Sequence, residues 1–402
     1  MERFSNVKND LQFEDTETEL NPQFIFTSQY RSLVASGIAC RISNKGLNQD
    51  EFIEAIKLQL NKLKADGEKK PIVIGAIPFD TSAETEFIIP ESSTFSETLV
   101  TNHVRHNKTA QCASLSQVTD ENHFKAAVNK ALLLSEHTHL DKVVLSRAVD
   151  VETTTRLNAN DMASTLYQQN PSAFIFSIPQ SNGTTLIGAS PELLVSKQDD
   201  HVISNPLAGS RKRTNSITDN QQISDELWQC EKDRYEHKLV ADAVSNHLSP
   251  FCNTLNAPDT PSIIETSTML HLSTKIEGKL ASKSTSALDL AYALHPTPAI
   301  CGTPSALAKV TIQHLEGYDR AQFCGAVGWM DAEGNGEWVV TIRCGIIKQK
   351  SIRLYAGAGI VKGSDPIAEF NETEAKLNTM LTALGLQFPS TPIQTRQSVA
   401  TI

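Results

Sequence analysis

The stretch from Ser172 to Asn205 reads SAFIFSIPQSNGTTLIGASPELLVSKQDDHVISN. Four short runs, Ser172 to Ile178, Thr184 to Ala189, Glu192 to Lys197 and Val202 to Asn205, are apolar and β-branched, and only short turns separate them. Strands that follow one another through short turns pair antiparallel, whereas a doubly wound parallel sheet needs a helix between successive strands. The expected fold class is therefore α+β, built on large antiparallel sheets.

The flanks repeat the pattern. Lys142 to Val151 reads as another strand, as do Ser262 to Ile276, Gly325 to Met330, Glu337 to Cys344 and Ser351 to Gly357. The two strands around Asp331-Ala-Glu-Gly-Asn-Gly336 make a hairpin over a Gly/Asn-rich turn. Helical spacing appears at Gln49 to Gly67, where Phe52, Ile56, Leu60 and Leu63 share a face, and at Phe124 to Glu136. A long helix is expected from Ile223 to about Leu248, a short one from Ala287 to Leu294, and a last one from Pro366 to Gly385. No segment of linker composition divides the strand-rich part. One catalytic domain over residues 1–387 is expected, with 388–402, rich in Pro, Ser, Thr and Gln, as a loose tail.

Composition narrows the function. The 402 residues carry 36 Lys and Arg against 46 Asp and Glu, a net charge of −10, which disfavours a nucleic-acid binder with its usual basic face. It does not disfavour a small anionic ligand, because a pocket's local field can oppose the net charge. No apolar run approaches the roughly 18 residues of a membrane helix, and the opening Met-Glu-Arg-Phe-Ser-Asn lacks a secretory pattern. Seven scattered cysteines without a Cys-x-x-Cys pair suggest reduced thiols in a cytoplasmic protein. There is no Walker loop, no G-x-S-x-G and no His-Glu-x-x-His. Ala356-Gly-Ala-Gly-Ile-Val-Lys-Gly363 misplaces its third glycine for a dinucleotide loop, so Gly357 and Gly359 serve a close backbone approach or a bulge. His137-Thr-His139 and His103…His106 read as exposed polar residues rather than metal ligands.

Four places combine reactive groups with unusual surroundings. Lys142 opens an apolar strand, where it either snorkels at the sheet rim or sits desolvated as a potential neutral base. Glu192 lies between a Ser-Pro turn and an apolar strand, a setting that raises a carboxyl pKa and suits a general acid, unless it is a surface residue at a strand start. Lys232-Asp-Arg-Tyr-Glu236-His237 marks the long helix. Glu369, Glu372 and Lys376 share one face of the last helix, and Glu236 with either of those carboxylates makes a hard oxygen site for Mg²⁺. Arg343, inside an apolar strand, calls for an anionic partner.

Read in order, Lys-Val-Val-Leu-Ser-Arg, Gly-Ala-Ser-Pro-Glu-Leu, Pro-Leu-Ala-Gly-Ser, Lys-Asp-Arg-Tyr-Glu-His, His-Pro-Thr-Pro-Ala, Val-Val-Thr-Ile-Arg-Cys, Ala-Gly-Ala-Gly-Ile-Val and Glu-x-x-Glu-Thr resemble the chorismate-utilising enzymes, and among them the isochorismate synthases of siderophore pathways. The resemblance runs from about Phe124 to Leu384. It implies two large stacked antiparallel sheets covered by helices, with the active site in a deep cleft. It implies Mg²⁺-dependent, reversible conversion of chorismate to isochorismate, with Lys142 activating water and Glu192 protonating the departing hydroxyl. Glu236 and Glu372 are then the metal ligands, with Glu369 acting through the metal's water shell. Arg343 holds the enolpyruvyl carboxylate, His271 sits near the leaving hydroxyl, and Gly209, Ser210, Ala299, Gly357 and Lys376 line the substrate. The resemblance also implies a monomer without an amidotransferase subunit. Relatives that deliver ammonia generally carry glutamine at the position of Lys142, while salicylate synthases keep the lysine and go on to eliminate pyruvate, so they stay open as an alternative, as does a menaquinone pathway. Ser210 stands where threonine is usual.

Overall fold

In the computed structural model, residues 23–99, 112–214 and 216–386 are described. The run from Phe174 to Asn205 starts as expected: Phe174–Pro179 and Thr185–Ser190 pair antiparallel, with Phe176 opposite Gly188. Pro191 and Glu192 then carry the chain out of that sheet. The next two strands, Leu193–Gln198 and His201–Asn205, pair with each other in a second sheet.

The first sheet orders Gly302–Thr303, Lys142–Thr153, Ser351–Val361, Cys344–Lys348, Thr185–Ser190, Phe174–Pro179, Gln23–Thr27, Ser32–Ser36 and Ser92–Ser96, with Cys112–Gln117 also on Lys142–Thr153. The second orders Cys252–Asn256, Ile276–Leu280, His201–Asn205, Leu193–Gln198, Gly336–Val340, Ala326–Asp331, Ile72–Ile77, Glu86–Ile89 and Cys40–Ser43. Leu207–Lys212, Met269–Ser273 and Ser262–Glu265 make a small third sheet. Every pair is antiparallel.

The period-two alternation of the strands sets the layers. On the first sheet Phe24, Phe26, Phe176, Leu186 and Ile360 enter one large core together with Val73, Ile74, Phe87 and Trp338 of the second sheet. Their neighbours Ile25, Ile175 and Ile187 point the other way into a second core. Eight helices cover the outside among the described residues: α1 Gln49–Ala65, α2 Glu121–His137, α3 Ala159–Gln169, α4 Ile217–Gln229, α5 Glu231–Leu248, α6 Ala287–Leu294, α7 Ser305–Glu316 and α8 Pro366–Ala383. Met162 and Leu166 of α3 and Leu377, Met380 and Leu381 of α8 close the second core. None of these helices is long and apolar enough to cross a membrane.

Some expected elements are divided. The helix anticipated at Ile223 to Leu248 begins at Ile217 and breaks at Cys230, whose ψ of 112° is extended. No proline or glycine marks that break. It follows from two docking directions: Leu227 of α4 packs on Leu270 and Leu272 of the third sheet, while Val240, Val244 and Leu248 of α5 enter the main core. The strand expected over 262–276 is split between the third and second sheets. The strand expected to reach Cys344 stops at Val340, so Arg343 lies between strands rather than inside one. Gly357 and Gly359 sit in an unbroken register with Ser146 and Val144, so neither marks a bulge. The histidines His103 and His106 and the expected tail at 388–402 lie outside the described residues.

Candidate active site

Two of the chain's passages between the large sheets lie at neighbouring points. Pro191-Glu192 leads from the first sheet to the second, and Thr341-Ile-Arg343 leads back. The crossings are stitched together: the Val340 N–H donates to the Glu192 carbonyl at 3.1 Å, and the Ala189 N–H donates to the Arg343 carbonyl at 3.0 Å. Arg343 has a φ of +50°, a left-handed conformation that costs a non-glycine residue about 1–2 kcal/mol and persists only where the surroundings impose it. Both side chains thereby leave the strand pleat and turn into one cavity of about 70 Å³.

Ten of the twelve expected site residues line that cavity: Glu192, Gly209, Ser210, Glu236, His271, Ala299, Arg343, Gly357, Glu372 and Lys376. Lys142 and Glu369 do not. Lys142 sits one layer back, its side chain fully buried, so the desolvated reading holds over the snorkelling one. Its Nζ lies 2.8 Å from Oε1 of Glu236, which lines the cavity. That approach needs Gly359, because a Cβ there would lie 2.1 Å from Glu236 Oε1 and 2.8 Å from Lys142 Cε. Glu369 points into an adjoining depression that shares Ser210 and Glu372 with the cavity, and Lys232 reaches it at 2.6 Å.

Burial decides the protonation of the cavity's acid. Glu192 is 2% exposed, and desolvation raises its carboxyl from 4.5 to about 7, against the pull of the Leu207 N–H and of Lys142, Lys376 and Arg343. Burial also lowers Arg343, only to about 10, so it remains cationic near neutrality. His271 Nε2 lies 3.4 Å from Arg343 Nη2, and burial plus that guanidinium hold the imidazole well below its usual pKa, making it a neutral acceptor. Burial opposes ionisation of Glu372 as well. There Lys376 at 2.7 Å, the Ser210 hydroxyl at 2.7 Å and Lys232 prevail, so Glu372 is an anion at neutral pH. Ser210 thus supplies the hydroxyl its position calls for. Lys376 also donates to the Gly357 carbonyl at 2.8 Å.

Metal binding can be judged from the donors. Among the described residues no three His, Cys, Asp or Glu side chains form a cage for an ion. Magnesium does not require one, since it commonly takes one or two carboxylates and completes its shell with water and the anionic groups of a ligand. Glu236 and Glu372 face the same cavity with hard oxygens, so the donor set fits. His137 and His139 are exposed at the end of α2, as expected. The seven cysteines are free, though Cys40, Cys112, Cys230 and Cys252 are only half-buried. Phe323 and Cys324 also line the cavity, as do Val144 and Ile300. Their apolar character gave no motif to find them by.

The model of the family described as "Chorismate binding enzyme" matches residues 66–385. The chain belongs to the chorismate-binding enzymes. Curated members include isochorismate synthase DhbC of Bacillus subtilis strain 168, 41% identical over 392 residues that cover 95% of this chain and 98% of the relative. Isochorismate synthase EntC of Escherichia coli K12 is 40% identical, covering 90% and 95% of the two chains. Among solved structures, a 2,3-dihydroxybenzoate-specific isochorismate synthase described as putative, DhbC from Bacillus anthracis, superposes with a TM-score of 0.86 at 40% identity over 93% of this chain and 98% of the other. Anthranilate synthase component I from Streptococcus pneumoniae shares the chorismate-binding fold, at TM-score 0.73 and 19% identity. The similarity reaches well beyond the Phe124–Leu384 span in which the motifs lie, into the first hundred residues that supply strands to both large sheets.

Proposed function

We propose that this chain is an isochorismate synthase that converts chorismate reversibly to isochorismate with Mg²⁺, for 2,3-dihydroxybenzoate and catecholate siderophore synthesis. The observation that carries the reading is Glu192: a carboxyl buried in the cavity with a pKa near 7, within the field of the buried Lys142. Isochorismate synthases at about 40% identity over nearly the whole chain support it.

Chorismate carries two carboxylates, and the reaction adds water at the ring carbon next to the carboxylate-bearing one while the double bonds shift and the allylic hydroxyl departs. Lys142, acting from its unprotonated amine, takes the proton of the attacking water at Nζ, and Glu192 delivers a proton from its carboxyl to the leaving hydroxyl. Water enters and water leaves, so the ring's atoms balance, and the opposite proton assignments serve the reverse direction. Arg343 clamps the enolpyruvyl carboxylate, and neutral His271 accepts from Arg343 beside the leaving hydroxyl. Gly209, Ser210, Ala299, Gly357 and Lys376 shape the substrate wall. Glu236 and Glu372, with Glu369 acting through the metal's water shell, would hold Mg²⁺, which when bound would supply charge neutralisation at the ring carboxylate. One core that draws on residues from Phe24 to Phe370 supports a single catalytic unit, acting in the cytoplasm as a monomer without an amidotransferase subunit.

Incubation of purified protein with chorismate and Mg²⁺, with products resolved by chromatography, is expected to yield isochorismate. Salicylate with pyruvate would reassign the chain to the lyases, and ammonia-dependent anthranilate to the amine-transferring branch. Genes for 2,3-dihydroxybenzoate formation beside this one are expected, and menaquinone genes in their place would change the pathway. Glu372→Ala is expected to raise the half-saturating Mg²⁺ concentration on the order of 10–100-fold, with most of the rate recovered at high Mg²⁺. A Mg²⁺ titration of the initial rate measures this, and an unchanged requirement would remove Glu372 from the metal site.

A further inference from the structure

The strand that carries Lys142 lacks a neighbour along part of one edge. Ser351–Val361 covers one side over its whole length. On the other side Gly302–Thr303 pairs only with Lys142 and Val143, and Cys112–Gln117 pairs only with Val149 to Thr153. Among the described residues no strand covers 144–148 there. Backbone groups at such a gap must find partners or be penalised by burial.

Backbone bonds reach its two ends, the Val144 N–H donating to the Cys301 carbonyl at 2.9 Å and the Val118 N–H to the Ala148 carbonyl at 3.0 Å, and two side chains fill what lies between. Glu316, at the end of α7, accepts the Ser146 N–H at 2.6 Å and the Ser146 hydroxyl at 2.8 Å. Arg320, in the loop beyond Gly317, donates through Nη2 to the Val144 carbonyl at 2.7 Å and through Nη1 to the Ile300 carbonyl at 2.9 Å. Its Nε donates to Glu316 Oε2 at 2.8 Å. Both side chains are 2% exposed, and the guanidinium lies 4.5 Å from the Phe79 ring centroid. Val144 and Ile300, the residues whose carbonyls it holds, both line the active cavity. The ion pair therefore does the work of a missing strand and joins the Lys142 strand to the Ala299–Ile300 turn.

We infer that Glu316 and Arg320 are positioning residues for the reaction, setting Lys142 and the Ala299–Ile300 wall relative to each other. This rests on the function proposed above. Neither residue reaches the cavity, and their effect is on where the base and wall stand. Displacement of a reacting group by about 1 Å can cost 10²-fold in rate. The substrate anchor Arg343 and the metal carboxylates hang on other elements, the sheet crossing, α5 and α8.

The test compares Arg320→Lys and Glu316→Gln with Ile56→Ala, a buried core change on α1 away from the cavity. Lysine keeps the charge opposite Glu316 but cannot fork onto two carbonyls. The expected result for both site variants is a kcat reduced about 10–100-fold, with the KM for chorismate and the Mg²⁺ requirement within about twofold of the parent. Ile56→Ala is expected to lower the melting temperature while leaving kcat within about twofold. Amide exchange in a peptide spanning 142–148 is expected to accelerate in both site variants, and this readout does not need turnover. Unchanged exchange, or a kcat within twofold of the parent in folded Arg320→Lys, would overturn the inference. Should that variant not fold, Glu316→Gln decides by the same criteria. A parent protein with no activity on chorismate would sink the proposed function, and the exchange measurement would still decide the positioning role.

Discussion

Replacing Lys142 with alanine or methionine is expected to reduce kcat by 10²–10⁴-fold at saturating chorismate and Mg²⁺, the usual share of a positioned general base. The two variants separate chemistry from packing. Both variants leave Glu236 without its buried partner, a loss that generally costs about 3–5 kcal/mol, and alanine in addition empties space beside Gly359. Methionine keeps most of the stem in the channel between Glu236 and the Ser351–Val361 strand but carries no proton acceptor of comparable basicity. If the lysine is the base, both variants lose turnover alike, although their stabilities differ. If its role is only to hold Glu236, metal loading should suffer first, and excess Mg²⁺ should restore the rate. Steady-state chorismate consumption across a Mg²⁺ series distinguishes the two, and a rate within tenfold of the parent would remove Lys142 from proton transfer.

Glu192→Gln is expected to combine a severe loss of turnover with a gain in stability above neutral pH. The folded carboxyl titrates near 7 rather than at 4.5 because burial disfavours its charged form. A group raised on folding contributes most below its unfolded value, and that contribution is lost as pH climbs through the folded one. Between pH 4.5 and 7 the parent therefore loses stability, reaching roughly 3 kcal/mol at 1.36 kcal/mol for each tenfold in proton affinity. Glutamine can still accept the Leu207 N–H, and it does not ionise. Melting curves should show the parent falling from pH 5 to pH 8 relative to the variant. In the forward direction the parent's rate should decline above about pH 7 as the acid loses its proton. A variant that is no more stable than the parent at pH 8, or a parent rate that rises steadily through pH 9, would contradict the acid assignment.

The same two residues show how unevenly site chemistry is written in the chain. Glu192 is half legible: a Ser-Pro turn before an apolar strand suits a buried acid and a surface residue alike, and only the cavity decides between them. Lys142 was ambiguous, since rim and interior lysines begin apolar strands equally well. Arg343 lines the cavity but lies between strands rather than inside one, which the local string hides because Thr341-Ile-Arg343-Cys344 keeps strand composition through the crossing and contains no breaker. Gly359 looked like part of a failed dinucleotide loop, and its purpose is visible only once α5 brings Glu236 against it. Glu316 and Arg320 carry no signal at all, since Glu316 ends α7 and Arg320 lies in the loop beyond Gly317, where charged residues are ordinarily solvated.

Short-range information settled most strands of the body, the antiparallel class and the exclusion of a dinucleotide loop, and it pointed to the groups proposed to move protons or hold magnesium. These depend on alternation, turn residues and side-chain chemistry, all of which act within a few residues. The break between α4 and α5, the two sheet crossings, the gap beside residues 144–148 and the burial that lifts Glu192 toward neutrality were decided only by packing. Each depends on which surfaces meet across hundreds of residues, and the desolvation and unpaired backbone groups that follow have no counterpart in the unfolded chain.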